Sequence, residues 1–535
     1  MNLLVEVIRV VKRLATRAAR AERDVAVAVG GVAFARAAIG SILAVLFPTL
    51  HMWVYWNVPS KVCYTRKVDI PLDQFGITYN RGHEFLGDQI VIFYEYNFGY
   101  FPYYQDYNAD QPVNGGLPQN CPLDKHLVRV SQQIRQAIPR EDFSGIAVID
   151  FEEWRPLYQL NWGKKSVYKR ESLRLVKEQY PFISDKSAEE LAKKEFNNAA
   201  KKIFLHTIAI ARQLRPYARW GFYGFPYCNY DAGNSETDML CSESFRRFND
   251  QMSFIYQAST ALFPSIYLSL KGTSAQNYRY IQAVLVESAR VAMLHNPPLD
   301  IYPYTKFEYN PYQFLDTFYA KKDVCNSLKQ AADMGARGVI LWSSSKNMKQ
   351  RCDGLANYVR DMLGPTVALI RKRTQRCREK RCSGHGQCIL PAPASKCTFR
   401  MQPENYVCRC DTLYIGGSCA KRRHFQQLFS SDGSEAFVAR RARNSGRKRT
   451  KVKTSRRPRV SGEIATERRR STTPRQTTRI STMLTIPTLS STSRRGHPRN
   501  ATRSPPITAT KTSSVITTPD SEFRLTPPPL DFRLI

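Results

Sequence analysis

The stretch SGIAVIDFEEW, from Ser144 to Trp154, decides the fold prediction because it joins a buried apolar run to a group of acidic residues. A short, continuous run of apolar and β-branched residues predicts a strand that is buried on both faces, as in a parallel sheet. Alternate side chains of a strand project to the same face, so Asp150 and Glu152 share one side and Glu153 faces the other. The stretch therefore predicts a parallel strand with two carboxyls at its carboxyl end.

Similar apolar runs lie on both sides of this strand, separated by longer helical stretches such as the one from about Ser187 to Leu214. Strands that alternate with helices favour parallel pairing. At least six such strands over roughly 310 residues predict an α/β fold, a β/α (TIM-like) barrel, with a doubly wound open sheet as the alternative. The further runs are MWVYWNVP, GDQIVIFY, RWGFYGFP, PSIYLSL and ARGVILWS.

The two carboxyls at this strand end suggest acid–base chemistry. Two residues along a strand span about 6.6–6.8 Å, so each charge of the pair would raise the pKa of the other carboxyl. A carboxyl that keeps its proton can act as a general acid. Acidic residues at strand ends are also common surface groups, but the carboxyl end of a barrel strand is where such folds build active sites.

The charge is distributed unevenly along the chain. Of the formal net charge of +35, residues 421–535 contribute about +19, from 26 Lys and Arg against 7 Asp and Glu. This segment is rich in Arg, Ser, Thr and Pro, which predicts a disordered tail. The smaller surplus of the folded part favours a polyanionic substrate, and it is a weak signal for nucleic acid, which we do not expect as a partner.

The thirteen cysteines indicate an oxidising compartment, since seven of them lie between Cys377 and Cys419. They are not arranged as the paired knuckles of a zinc cluster, so disulfides are the better interpretation. Their spacing predicts a small EGF-like module, which would need disulfides because it cannot build a core. We expect a secreted protein or one on the extracellular face of a membrane, with the lysosome as an alternative.

Four segments follow from these observations: 1–50, 51–370, 371–420 and 421–535. The first has a basic region followed by the apolar run AAIGSILAVLFPTL, from Ala37 to Leu50, which predicts a signal peptide or a signal anchor that would hold the protein to a membrane. A buried amphipathic helix is the alternative. The other three are the barrel, the EGF-like module and the tail. We expect a monomer.

Several separate motifs resemble those of the hyaluronidase family, glycoside hydrolase family 56. The strand-end segment GIAVIDFEEWRPLYQLNW, at 145–162, is similar to the catalytic motif of that family. The order of the other motifs also matches, over roughly residues 52–420. These motifs are YWNVPSKVC at 55–63, NGGLPQN at 114–120, WGFYGFPYCNY at 220–230, FPSIYLSL at 263–270 and GVILWSSS at 338–345.

The resemblance implies a distorted barrel with a long groove for a glycosaminoglycan, hyaluronan or chondroitin, cleaved with retention of configuration by a mechanism in which the substrate supplies the nucleophile. Glu152 matches the acid and base, Asp150 the partner carboxyl, and Tyr267 the tyrosine that orients the acetamido group. Groove positions are implied for Tyr94, Arg155, Tyr223, Tyr304 and Trp342. Taken without the resemblance, aromatic residues at strand ends more often pack the core.

The resemblance also implies disulfides Cys63–Cys352 and Cys228–Cys241, and the EGF-like order implies Cys377–Cys388, Cys382–Cys408 and Cys410–Cys419. Cys121, Cys325 and Cys397 are left over, with Cys121–Cys325 as a guess. No P-loop, dinucleotide fingerprint or paired-histidine motif is present in the sequence, so no cofactor and no metal are expected. A non-catalytic glycosaminoglycan-binding protein and a cell-surface interaction protein are the alternatives to an enzyme.

Overall fold

The computed structural model describes residues 52–237, 239–391, 394 and 396–423, and the predicted signal segment and the basic tail beyond residue 423 lie outside them. Short parallel strands at the centre are surrounded by helices, and one antiparallel hairpin, β4–β5, is inserted. The strands up to residue 342 are β1 (Trp53–Asn57), β2 (Thr78–Tyr79), β3 (Ile90–Tyr94), β4 (Tyr103–Tyr104), β5 (Pro112–Val113), β6 (Ile146–Asp150), β7 (Arg219–Phe222), β8 (Ala261–Leu262), β9 (Asp300–Ile301), β10 (Tyr304–Thr305) and β11 (Gly338–Trp342).

The parallel strands follow one another round a ring. One sheet has the order β10-β11-β1-β2, another β3-β6-β7, and β8 pairs with β9. Single bridges from Tyr223 to Phe263 and from Ser265 to Tyr304 connect these sheets. In the β3–β6 register Tyr94 lies opposite Asp150, so the last residues of both strands meet at one edge.

The side chain of Asn80 joins β2 to β3, where no backbone pairing closes the ring among the described strands. Its Oδ1 accepts the backbone N–H groups of Gln89 and Ile90 at 2.9 and 3.0 Å, and its Nδ2 donates to the Ile90 carbonyl at 2.9 Å. The residue is only 1% exposed. A buried amide thus satisfies backbone groups that a strand partner would otherwise satisfy.

Alternate strand residues fill the interior of the ring. On β6, Ile146 and Val148 pack inward with Ile90 and Ile340, whereas Ala147 and Ile149 pack outward against the helices. The two-residue period of a strand places Asp150 on the inward side. The interior is therefore a packed apolar core with polar groups at the carboxyl ends of the strands.

The helices cover the outside of the ring. The longest, α4, begins at the N-cap Ser184, whose hydroxyl accepts the backbone N–H of Ser187, and α7 begins with a capping box between Thr273 and Gln276. The helices are α1 (Lys61–Thr65), α2 (Leu123–Ala137), α3 (Ser166–Gln179), α4 (Asp185–Leu214), α5 (Glu243–Gln251), α6 (Ser253–Ala258), α7 (Ser274–Ala292), α8 (Lys321–Val324), α9 (Gln330–Asp333), α10 (Met348–Tyr358) and α11 (Gly364–Arg381), with π-helical turns at Cys325–Lys329 and Val359–Leu363.

The predicted strands agree with the structure at five of the six apolar runs, and the sixth is displaced. The run PSIYLSL was predicted as a strand, but β8 ends at Leu262 and only Ser265 within the run makes a bridge. Pro264 lacks the backbone N–H that a ladder requires, so the chain leaves the sheet there. The crossover helix predicted from about Ser187 begins two residues earlier, at Asp185.

Six disulfides are present among the described residues. Five have the pairing implied above: Cys63–Cys352, Cys228–Cys241, Cys377–Cys388, Cys382–Cys408 and Cys410–Cys419. The guess that Cys121 pairs with Cys325 is wrong. Cys325 pairs with Cys397, and Cys121 has a free thiol.

The segment after α11 forms a small cysteine-rich module with two antiparallel pairs, β12 (Gly386–Ile389) with β13 (Val407–Cys410) and β14 (Tyr414–Ile415) with β15 (Lys421–Arg422). It docks on the barrel, since the Leu390 N–H donates to the Asp333 carbonyl and the Arg409 guanidinium donates to the Gly335 carbonyl, both at 2.7 Å. Within residues 52–423, no helix is long and apolar enough to cross a membrane. The apolar run 37–50 lies outside that part.

Candidate active site

The carboxyl ends of the parallel strands bring together the polar residues of the site. Asp150 is the last residue of β6, is 5% exposed, and its Oδ1 has no hydrogen-bond partner among the described residues. Burial and the charge of Glu152 raise the pKa of Asp150 well above its ordinary value. Asp150 therefore retains its proton more readily than a carboxyl in water.

Glu152 lies just beyond the strand, because β6 ends at Asp150. Glu152 is exposed, in contrast to Asp150, although the surrounding protein still reduces its hydration. That loss of hydration raises the pKa of Glu152, and the nearby cations Lys165 and Arg155 act in the opposite direction. The site thus combines an accessible carboxyl with a buried one.

A buried carboxyl and a partly buried ammonium hold the backbone of Glu152. The Glu95 carboxylate accepts the Glu152 N–H at 3.0 Å, and the Lys165 ammonium donates to the Glu152 carbonyl at 2.6 Å and to the Glu153 carbonyl at 3.0 Å. Glu95 is 5% exposed, and burial together with the charge of Glu152 raises its pKa well above the ordinary value. Burial lowers the pKa of Lys165.

Glu153 points away from Glu152 and into the protein, as the strand alternation predicts. It is 6% exposed, and its two oxygens accept the hydroxyls of Tyr96 and Tyr168. These hydrogen bonds fix Glu153 in the core. Its position excludes direct contact with a ligand that approaches Glu152 from solvent.

An ammonium among aromatic rings forms one wall of the site. The Lys306 nitrogen lies 4.7 Å from the ring centre of Tyr267 and 5.6 Å from that of Trp342. Tyr267 and Trp342 themselves stack, with ring centres 5.9 Å apart. Burial lowers the pKa of Lys306 to about 8, against the charges of Glu308 and Glu152. Rings and a cation together can bind the apolar face and the anionic group of a sugar.

The structure brings the other predicted groove residues to the same edge. The Trp342 indole donates to the Tyr94 hydroxyl at 3.1 Å, and the Tyr223 hydroxyl donates to Ser265 at 3.2 Å. Arg155 lies over the Trp162 ring at 4.2 Å, with one guanidinium nitrogen on the Leu160 carbonyl. Tyr304 is fully buried, and its hydroxyl donates a hydrogen bond to Asn57 Oδ1 at 3.3 Å.

Tyr304 thus lies in the floor of the site, beneath the accessible surface.

The sequence interpretation also missed three charged residues: Glu95, Lys165 and Lys306. Glu95 follows the apolar run IVIFY as Asp150 follows GIAVI, and that parallel is a signal that could have identified it. Lys165 ends a 3-10 turn, Gly163–Lys165, directly before α3, and carried no such signal. Among the described residues, no group of three His, Cys, Asp or Glu side chains is placed to hold a metal ion.

A comparison with known protein families matches residues 43–438 to the model described as hyaluronidase. The chain belongs to the hyaluronidase family. Its relatives include a chondroitin hydrolase of Caenorhabditis elegans, 41% identical over 69% of this chain and 80% of that protein. They also include hyaluronidase-1 of Homo sapiens, 36% identical over 68% of this chain and 83% of that protein.

Solved hyaluronidase structures have the same fold. Bee venom hyaluronidase in complex with a hyaluronic acid tetramer superposes with a TM-score of 0.55, at 31% identity, over 60% of this chain and 99% of that one. A crystal of the same venom enzyme gives a TM-score of 0.54 at 32% identity. This member of the hyaluronidase family is therefore a glycoside hydrolase with a TIM-like barrel.

Proposed function

We propose that this hyaluronidase-family protein is an endo-β-N-acetylhexosaminidase that hydrolyses hyaluronan, chondroitin or both, with Glu152 as acid and base. The observation that carries the proposal is the contrast in exposure at the site. Glu152 is exposed, whereas Glu95, Asp150 and Glu153 are each at most 6% exposed. One carboxyl is thus available to the substrate.

A single accessible carboxyl favours a substrate-assisted reaction. Retaining glycosidases with an enzyme nucleophile need two carboxyls at the sugar, one on each side of the bond. Here the second, Asp150, is buried beneath the first and has its pKa raised. The acetamido group of an N-acetylhexosamine can supply the nucleophile instead, and retention of configuration follows from two successive displacements.

In the first step the Glu152 carboxylic acid donates its proton to the glycosidic oxygen, the bond from that oxygen to the anomeric carbon breaks, and the acetamido oxygen bonds to that carbon, so that the leaving sugar departs as an alcohol. In the second step the Glu152 carboxylate accepts a proton from water, which attacks that carbon and reopens the cyclic intermediate. Asp150 tunes the proton affinity of Glu152, and we assign Tyr267 to the acetamido group. The partly exposed Tyr94 would bind sugar, together with the small exposed parts of Tyr223 and Trp342, and Tyr304 would support them from below.

Hyaluronan and chondroitin both carry an acetamido group and regularly spaced carboxylates. The relatives named above include a chondroitin hydrolase and hyaluronidases, and the venom homologue holds a hyaluronic acid tetramer. Arg155, which is partly exposed, fits an anionic sugar polymer, and the buried Lys306 adds a positive charge to the wall of the site. These observations support a glycosaminoglycan substrate.

The test is depolymerisation of hyaluronan and of unsulfated chondroitin, side by side from acid to neutral pH, with wild type and Glu152→Gln. We expect the variant to lose activity by a factor on the order of 10²–10⁴ or more, since general acid catalysis contributes that much. Retention is checked by the anomeric configuration of the first product. Intact polymer after incubation with folded wild type would instead favour a non-catalytic glycosaminoglycan-binding protein.

We further propose that the protein works outside the cytosol, secreted, on the extracellular face of a membrane, or in the lysosome. Six disulfides fit an oxidising compartment. The EGF-like assignment of the cysteine-rich module is also a proposal, and it rests on the one–three, two–four, five–six order of its three internal disulfides. Sequencing the N-terminus of the mature protein distinguishes a cleaved signal peptide from a retained membrane anchor.

A further inference from the structure

Helix α11 has more positively charged side chains than it needs for its contacts with the rest of the protein. It contains seven Lys and Arg and a single acidic residue, Glu379. Glu379 accepts a hydrogen bond from Gln375 at 2.7 Å, within the same helix. The helix connects the barrel to the cysteine-rich module, and it lies outside the group of residues that form the active site.

Four of these cations fasten the helix to its surroundings. Arg371 donates to the Gly76 carbonyl, Arg373 to the Phe399 carbonyl, and Arg381 to the Tyr406 carbonyl. Arg378 forms an ion pair with Asp411 at 2.7 Å. Their structural role is therefore clear from their contacts.

The other three cations, Lys372, Arg376 and Lys380, are all exposed, and none of them makes an ion pair with a described residue. They are spaced four residues apart, so they lie along one face of the helix, about 6 Å from one another and about 12 Å from end to end. We call Lys372, Arg376 and Lys380 the basic stripe.

The basic stripe costs the helix some stability, because like charges four residues apart repel each other. An acidic residue at any of the three positions would remove that repulsion. A linear polyanion laid along the helix would remove it too, since its negative groups could contact the three cations in turn.

We infer that the basic stripe is a second binding site for a glycosaminoglycan chain, which holds the polymer while another part of it occupies the active site. The inference rests on the proposed function for the class of ligand. An anionic membrane surface is the less favoured partner, because none of the exposed large apolar side chains among the described residues lies on α11. A helix that binds in a membrane interface needs such side chains.

The test compares three forms of the full chain. One is the wild type, and one is the stripe variant Lys372→Gln, Arg376→Gln, Lys380→Gln. The matched control changes three exposed lysines of α4, Lys186→Gln, Lys194→Gln and Lys202→Gln, which removes the same charge elsewhere. Glutamine keeps the helix propensity at each position. For each form we would measure kcat and KM on long hyaluronan or chondroitin and on a short oligosaccharide of it.

We expect the stripe variant to raise KM for the long polymer by about five- to tenfold at low salt, as the loss of three weak exposed contacts would do. Its KM for the short oligosaccharide and its kcat should match those of the wild type, and the difference on polymer should shrink as salt rises. An unchanged KM on polymer, or an equal rise in the control, would overturn the inference. So would a stripe variant that lost binding only to phosphatidylserine vesicles.

A binding measurement separates this inference from the proposed function. Each set of substitutions is combined with Glu152→Gln, and the affinity for long polymer is measured without turnover. Weaker binding by the stripe form alone supports the second site even if the wild type cleaves neither polymer. Equal binding by the stripe and control forms contradicts it even if cleavage is observed.

Discussion

Four carboxyls meet at the carboxyl end of β6, and their surroundings separate them into different roles. Glu153 is satisfied by two tyrosine hydroxyls, Glu95 holds the backbone of Glu152, and Asp150 keeps one oxygen unpartnered. Only Glu152 is exposed. The strand pattern around 150–153 predicted two carboxyls on one side, and the family resemblance implied the roles of Glu152 and Asp150. That pattern did not predict Glu95, which lies 57 residues before Glu152, or Lys165, which lies 13 residues after it.

We expect Asp150→Asn to stabilise the fold at neutral pH. The folded pKa of Asp150 is raised, so its contribution to stability is present below the unfolded pKa of about 4 and is lost as pH rises toward the folded pKa. The gain in melting temperature of the variant over wild type should therefore be larger at pH 7 than at pH 4, while activity falls. Asp142→Asn is the control, because Arg140 lowers the pKa of that exposed carboxyl. Equal gains at both pH values would contradict the argument.

The charge of Lys165 provides a second test, of its influence on the pKa of Glu152. Its charge lowers the pKa of Glu152, so Lys165→Met should raise that pKa and move the alkaline limb of the kcat/KM profile to higher pH. The variant should also lose kcat, since the carbonyls of Glu152 and Glu153 lose their donor. Lys165→Arg keeps the charge and should keep the limb near its original pH. An alkaline limb at unchanged pH in Lys165→Met would show that Lys165 does not lower the pKa of Glu152.

At the scale of elements, the longer strands were predictable and the shortest were not. Four strands have five residues each and could be predicted from their apolar runs: β1, β3, β6 and β11. Three others have only two residues each: β2, β9 and β10. A two-residue strand has no periodicity of its own, and its register comes from its neighbours. The link from β2 to β3 through Asn80 could not be predicted from the sequence either, because it depends on a side chain.

We expect Asn80→Ala to destabilise the barrel by about 2–4 kcal/mol, because the backbone N–H groups of Gln89 and Ile90 would lose their acceptor. Urea denaturation of the variant measures the change. Asn198→Ala, at an exposed position of α4, serves as the control and should change stability little. A loss no larger than that of the control would show that another group closes the ring.

For the whole molecule, the sequence indicated a barrel followed by a disulfide-rich module, but the covalent link between them was missed. The leftover cysteines at 121, 325 and 397 could not be assigned by spacing, because spacing does not reveal which helix faces the module. The structure shows that Cys325, in a π-helical turn of the barrel, reaches Cys397. Contacts of Asp333 and Gly335 with the module lie close to this bond.

Replacing both cysteines, Cys325→Ser with Cys397→Ser, should lower the free energy of unfolding by up to about 4 kcal/mol. The bond closes a loop between residues 72 apart, and a crosslink of that length restricts the unfolded chain strongly. Thermal unfolding of the oxidised proteins measures the loss. A melting temperature equal to that of wild type would mean that the docking contacts alone hold the module in place.

Helix α11 begins at Gly364 in the barrel and ends at Arg381, beside the first module cysteines, so it runs across residue 370, where the sequence had suggested a boundary. A recombinant barrel that stopped at 370 would lose most of this helix and leave Cys325 without its partner. The cysteine-rich module is consequently unsuitable for transfer to another protein as an independent unit. A shortened protein intended for crystallisation or large-scale expression should keep the chain through Arg423.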